Sequence, residues 1–249
     1  MTTVGDIYEA LDALAPFDTA ESWDNVGLLA GSRRTEVTTV VTALDITSAV
    51  AAFAAGEGAQ LIVSHHPVIF SPLKRLEAGS APWKLAEAGI AAICAHTNLD
   101  SAAGGVNDLL ADRLNLSLTT VAGDGLCRIG ELPESMAPER FAAYVQERLG
   151  CRARFAAGPR PVRVIGICGG AGGDYLAPLW ERYRLDGLLT GELKHHEWIE
   201  LAASGATVVE AGHYHTEVLA AEGLAAYLSV RFPNLRFLAA KETSPYRTL

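Results

Sequence analysis

Along the chain, short unbroken apolar runs alternate with stretches in which apolar residues recur every three or four positions. Val4, Ile7, Tyr8, Leu11 and Leu14 space like one helix face. Val37–Leu44 is β-branched and predicts a strand, and residues 46–56 predict a helix that stops at Gly56. Gln60–Ser64 and Ile90–Ala95 predict short strands on either side of a helix over Trp83–Glu87, which ends at Gly89, and Val106–Leu114 predicts the next helix. At Ala122–Gly125 the texture changes to a turn. Beyond it, strands are predicted at Ile129–Leu132, Ala153–Ala156, Val162–Cys168, Gly187–Leu189, Thr207–Ala211 and Leu235–Leu238. Helices are predicted between them at Pro138–Leu149, Tyr175–Tyr183, Leu193–Ala203 and Thr216–Val230. This rhythm predicts an α/β protein of two lobes, with mostly parallel or mixed sheets covered by helices. The expected division is 1–125, joined by about 212–249, against 126–211.

Composition adds limits. At 249 residues with 49% hydrophobic and 20% charged, the chain builds its own core as a globular protein does. The net charge of −9 argues against a long groove tracking a phosphate backbone, so nucleic acid is not an expected partner. A small anionic substrate stays open, because a bound metal reverses the local field. Cys94, Cys127, Cys151 and Cys168 form no C-x-x-C pair and read as reduced structural thiols. The first residues carry no basic and apolar leader, and no apolar run nears the ~18 residues of a membrane span; a cytoplasmic protein is expected.

The candidate chemistry sits at strand ends. The strand ending at Ser64 delivers His65 and His66, the strand Ile90–Ala95 delivers His96 and then Asp100, and the strand Thr207–Ala211 leads to His213, His215 and Glu217. Loops beyond the carboxyl ends of parallel strands form the crevice where ligands bind. His213 and Glu217 share a face if a helix starts there. Imidazoles together with bridging carboxylates suit a pair of divalent ions some 3.5–4 Å apart. Each group alone has a plainer reading: a hydrogen-bonded loop histidine, a helix cap at Asp100 or Asp45, a solvated helix position at Glu217. Glu192, His195 and His196 could reach the same cleft or simply open a helix. Gly166–Gly173 could offer backbone N–H groups to a phosphate, although it matches neither nucleotide-binding glycine pattern and a close-packed turn suits it better. Ser22–Leu29 reads as an apolar loop that packs over something.

The stretches SWDNVGLLAG, IVSHHPVIF, AHTNLDSAAGGVND, TGELKHHEWIE and EAGHYHTE, in this order, resemble the Nif-three-like dinuclear metal-centre family, whose members carry the name GTP cyclohydrolase 1 type 2 homologue. The resemblance spans nearly the whole chain, least clearly between about Leu126 and Tyr183. It implies two α/β lobes with a two-metal site in the cleft between them, and a toroidal homohexamer. It implies that His65, His66, Asp100, His213 and Glu217 are the metal ligands and that His96 and Glu192 lie close by. On that basis two divalent ions are expected, with Zn, Fe, Mn, Ni and Co all compatible with such donors. The expected function is metal-dependent hydrolysis of a nucleotide, GTP cyclohydrolase-like, or of another small phosphorylated substrate. His96 or Glu192 would move protons in it. The alternative is a non-catalytic metal carrier or a partner-docking protein.

Overall fold

The structure, a computed structural model, describes residues 1–247. The chain divides into two compact units. Unit 1 comprises Met1–Gly105 and Ala220–Thr243; unit 2 comprises Val106–Leu219 and the described residues after Thr243.

Unit 1 opens with α1 (Val4–Leu14), whose Thr3 and Asp6 form a capping box that satisfies the first free amides. Then follow β1 (Gly27–Ala30), β2 (Thr39–Ala43), α2 (Ser48–Gly56), β3 (Leu61–Ser64), α3 (Ala81–Ala88), β4 (Ala91–Cys94) and α4 (Thr97–Ser101). In unit 2 come α5 (Val106–Arg113), β5 (Ser117–Ala122), β6 (Cys127–Met136), α6 (Pro138–Leu149), β7 (Arg154–Ala156), β8 (Val162–Cys168), α7 (Gly173–Arg182), β9 (Gly187–Thr190), α8 (His195–Ala203), β10 (Thr207–Glu210) and α9 (His213–Glu217). The chain returns to unit 1 through α10 (Leu219–Arg231) and β11 (Arg236–Ala239).

Among the described residues, the unit 1 sheet runs β1-β4-β3-β2-β11 and the unit 2 sheet runs β5-β6-β8-β9-β10-β7. In unit 1, β4, β3, β2 and β11 are parallel and β1 is antiparallel to β4. In unit 2, β8, β9 and β10 are parallel, with antiparallel strands on both flanks. The parallel strands read as continuous apolar runs because helices cover both faces. Neighbouring residues show it: Leu189 and Val209 pack with Phe141 and Val145 of α6, whereas Leu188 and Val208 pack with Leu176 and Leu179 of α7. The expected α/β class with mixed, helix-covered sheets is what the structure has.

Four local expectations are corrected. Residues within Ser22–Leu29, expected as loop, include the start of edge strand β1. The short strand expected at Ile129–Leu132 is the ten-residue β6, and it pairs with β5, which was not expected at all. Residues 106–125, expected in the first lobe, lie in unit 2, whose sheet β5 joins. The helix expected over Thr216–Val230 is two helices, α9 and α10. The four cysteines are free thiols, with Cys94, Cys127 and Cys168 buried. No helix among the described residues is long and apolar enough to cross a membrane.

Candidate metal centre

In unit 1 the parallel strands β2, β3 and β4 end in register, Ala43 beside Ser64 and Ser64 beside Cys94. The residues that follow therefore arrive side by side: Asp45 after β2, His65 and His66 after β3, His96 after β4. One donor atom of each of His65, His66 and His96 lies within 4.8 Å of those of the other two, so this group could hold a metal ion. Their ring centroids are 5.1–5.5 Å apart. Backbone bonds fix the histidine pair: Ser64 Oγ donates to the His66 carbonyl at 2.7 Å and Cys94 Sγ to the His65 carbonyl at 3.0 Å. Ser64 is thereby a structural hydroxyl.

Each ring is also fixed through Nδ1. His65 Nδ1 lies 2.9 Å from the Ala95 carbonyl, His66 Nδ1 2.9 Å from Asp45 Oδ1, and His96 Nδ1 2.8 Å from Asp24 Oδ1. A carbonyl or carboxylate only accepts, so each Nδ1 is the donor, and in a neutral ring Nε2 is then the nitrogen that bears the lone pair. Asp24 is itself bound by Thr97 N at 3.1 Å and Thr97 Oγ1 at 2.6 Å, and its side chain is fully buried. Burial opposes its ionisation, but the hydrogen bonds from His96 and Thr97 prevail and hold its carboxyl below the usual carboxylate range. Asp100, in α4, places Oδ1 3.5 Å from His65 Nε2.

In unit 2 the parallel strands β8, β9 and β10 likewise end in register, Cys168 beside Thr190 and Thr190 beside Glu210. They deliver Gly169–Gly173, Glu192, and His213 with Glu217. On α9 the spacing of four sets His213 Nε2 2.8 Å from Glu217 Oε2. His213 Nδ1 lies 3.4 Å from Glu192 Oε2. The glycine loop turns out to be the close-packed turn. Its amides are used internally, Gly169 N by Asn107 Oδ1, Gly170 N by Thr216 Oγ1 and Gly172 N by Thr190 Oγ1, at 2.8–3.0 Å. A Cβ on Gly170 would collide with the Glu217 carboxylate, and one on Gly173 with that of Glu197. The loop makes room for two internal carboxylates.

Other candidates stand apart. His195 and His196 are exposed at the start of α8, and neither they nor His215 joins a donor group among the described residues. Burial lowers the His215 pKa, opposed by a hydrogen bond with the Ala211 backbone. Sequence reasoning also passed over two carboxylates. Asp45 was expected as a helix cap, but Thr47 caps α2 by accepting from Val50 N, which leaves Asp45 to hold His66. Asp24 lay unassigned within SWDN; its link to His96 spans 72 residues, so no local spacing reports it.

The donors fit a divalent cation. A metal-bound imidazole commonly gives its other N–H to a carboxylate or carbonyl, and that is the state of all three unit 1 rings. Two ligand atoms each about 2.1 Å from a tetrahedral ion lie about 3.4 Å apart, close to the 3.5 Å between His65 Nε2 and Asp100 Oδ1.

An α/β fold carrying histidine–carboxylate groups able to hold a metal ion is the class these features define. Residues 2–245 match the family described as Duf34/NIF3 (NGG1p interacting factor 3), and the chain belongs to that family. A Streptomyces coelicolor protein named GTP cyclohydrolase 1 type 2 homolog is 35% identical over 235 residues, covering 87% of this chain and 82% of its own. The NGG1-interacting factor 3 of Saccharomyces cerevisiae is 31% identical over 231 residues, covering 79% and 80%. Among solved structures, a Staphylococcus aureus protein superposes with a TM-score of 0.94 at 30% identity, covering 100% of this chain and 99% of its own. Reduced HcgD from Methanocaldococcus jannaschii superposes with a TM-score of 0.83 at 27% identity, covering 96% and 98%.

Proposed function

We propose that the protein is a metal-dependent hydrolase acting on a nucleotide or another small phosphorylated substrate. In this reading His65, His66, Asp100, His213 and Glu217 are the ligands of two divalent ions. The observation that carries it is that three imidazoles gathered at one strand edge, with donor atoms within 4.8 Å of one another, are each held at Nδ1 by a carbonyl or carboxylate, as imidazoles beside metals commonly are. When bound, such ions supply Lewis acidity and bring the pKa of a water toward neutrality. His96 is the proton-handling residue: Asp24 holds Nδ1–H, so Nε2 takes and returns the proton. Glu192, at 3.4 Å from His213 Nδ1, either orients that ring or serves as the second proton carrier. The name of the Streptomyces relative supports a GTP cyclohydrolase-like reaction among the candidates. A toroidal homohexamer in the cytoplasm completes the proposal, supported by the family resemblance; a monomer mass by light scattering would remove the hexamer.

The test is turnover. Protein loaded in turn with Zn, Fe, Mn, Ni and Co is assayed against GTP, other nucleotides and phosphodiesters, with bound metal counted by mass spectrometry. Ordinary turnover of about 1–10³ s⁻¹ is readily seen; a protein that holds two ions and turns over nothing sinks the hydrolase reading. The second reading is a metal carrier or a partner-docking protein, and the name of the yeast relative favours the docking role. A carrier gives up its metal to a chelator while staying folded, so loss of metal only on unfolding excludes that role.

A further inference from the structure

The Ser22–Asn25 stretch is accounted for almost entirely by contacts within unit 1. Ser22 leads into a turn closed by Asp24 N on the Glu21 carbonyl at 2.9 Å, and Glu21 N is held by Thr97 Oγ1 at 2.9 Å. Asp24 binds His96 and Thr97. The Asn25 amide donates to the Ile69 carbonyl, which fixes the neighbouring loop beside it. Antiparallel pairing of Gly27 with Cys94 brings the whole stretch over the end of β4, where His96 emerges. Trp23 is the residue left over. It is 57% exposed, and its ring lies 6.0 Å from that of Phe70, itself 54% exposed. Trp23 also meets His96 in a T-shaped contact, with ring centroids 6.1 Å apart.

Two large aromatic rings held in the open by buried polar anchors lose apolar burial that looser loops would recover. The anchors make sense if the rings are pre-positioned for something flat that arrives beside His96. Two rings in contact offer area for one planar ring system, and their continuity with His96 ties that ring to the imidazole cluster.

We propose that Trp23 and Phe70 form a stacking platform that binds a planar heteroaromatic ring of the substrate next to His96. This rests on the hydrolase reading and specifies its substrate class as one bearing such a ring; a phosphorylated sugar without a base would not qualify. Neither residue is among the proposed ligands, so base binding and metal loading separate.

The experiment is calorimetric titration of the full-length protein, chelator-treated and Zn-loaded, with guanosine, adenosine and ribose. Binding of the nucleosides but not ribose is expected, weakened at least about tenfold in Trp23→Ala and Phe70→Ala. Trp23→Phe should keep affinity within about threefold, since any ring stacks. Circular dichroism and metal content should be unchanged in all three variants. Nucleoside affinity equal to wild type in both alanine variants overturns the platform, as does ribose binding as well as the nucleosides. A change of oligomer mass in the variants with nucleoside affinity intact overturns it too and assigns the rings to a second copy of the chain. Absence of turnover with base binding intact defeats only the hydrolase reading.

Discussion

The two sheets present the same kind of edge and equip it in opposite ways. In each, three parallel strands end in register and release their donors together. In unit 1 every imidazole is gripped from behind by an acceptor supplied for it, and the His65, His66 and His96 side chains are 0%, 21% and 16% exposed. In unit 2 the His213 side chain is 30% exposed and has carboxylates at both ring nitrogens, while Glu217 fits because glycine leaves space behind it. One edge is organised by hydrogen bonds that are present, the other by side chains that are missing. The first should break when an acceptor is removed, the second when a methyl group is added.

The largest effect is expected from Asp24→Ala. It leaves Thr97 N, Thr97 Oγ1 and His96 Nδ1 without their buried acceptor, and should cost about 3 kcal/mol in urea unfolding. A loss below about 1 kcal/mol would mean that Asp24 does not organise this edge. Next comes Gly170→Ala, where a left-handed φ of 59° adds to the collision with Glu217. About 2 kcal/mol is expected. Gly58→Ala is the control, with a φ of 65° and open space, and should cost only about 1 kcal/mol. Equal losses at the two positions would refute the cradle. Asp45→Asn touches a half-exposed carboxylate, so stability should move by less than about 1 kcal/mol, while metal affinity in a chelator competition falls about 10–100-fold. Unchanged affinity would show that His66 needs no such support.

The smallest effect concerns pH. Because its folded pKa is depressed, Asp24 contributes stability that is present above the usual carboxylate value of about 3.9 and is lost as pH falls toward the lower folded value. Asp24→Asn should therefore flatten the acid limb of the stability profile below about pH 4 and leave its slope near neutrality alone.

Legibility followed burial. The strands β2, β3, β4, β9 and β10 are buried throughout, and β8 over most of its length, so their apolar runs announce them. On the flanks, β1 and β5 were missed and β6 was read short, for physical reasons. Five of the six residues of β5 are exposed, and Leu118 within it has a φ of 54° beside a register shift. In β6 the apolar pattern is broken by Arg128, buried against Asp108, and by Glu131, paired with Arg163 at 3.1 Å. β1 is a four-residue antiparallel edge with a bulge, and nothing in its sequence names its partner. At the site, residue types that stand out at strand ends were readable. Their holders were not, because Asp24 and Asp45 reach their histidines across 72 and 21 positions, respectively.

The return of the chain to unit 1 sets an order of assembly during synthesis. Unit 2 is nearly contiguous and can close once about residue 219 has left the ribosome. The first sheet must wait for β11 to dock on β2, and for the Glu242 carboxylate to accept from Leu44 N and Asp45 N at 2.6 and 2.9 Å. The peptide that carries the grip on His66 is thus fastened from a position nearly two hundred residues further along, so a nascent or clipped chain that lacks Glu242 displays the histidines before it can hold them steady.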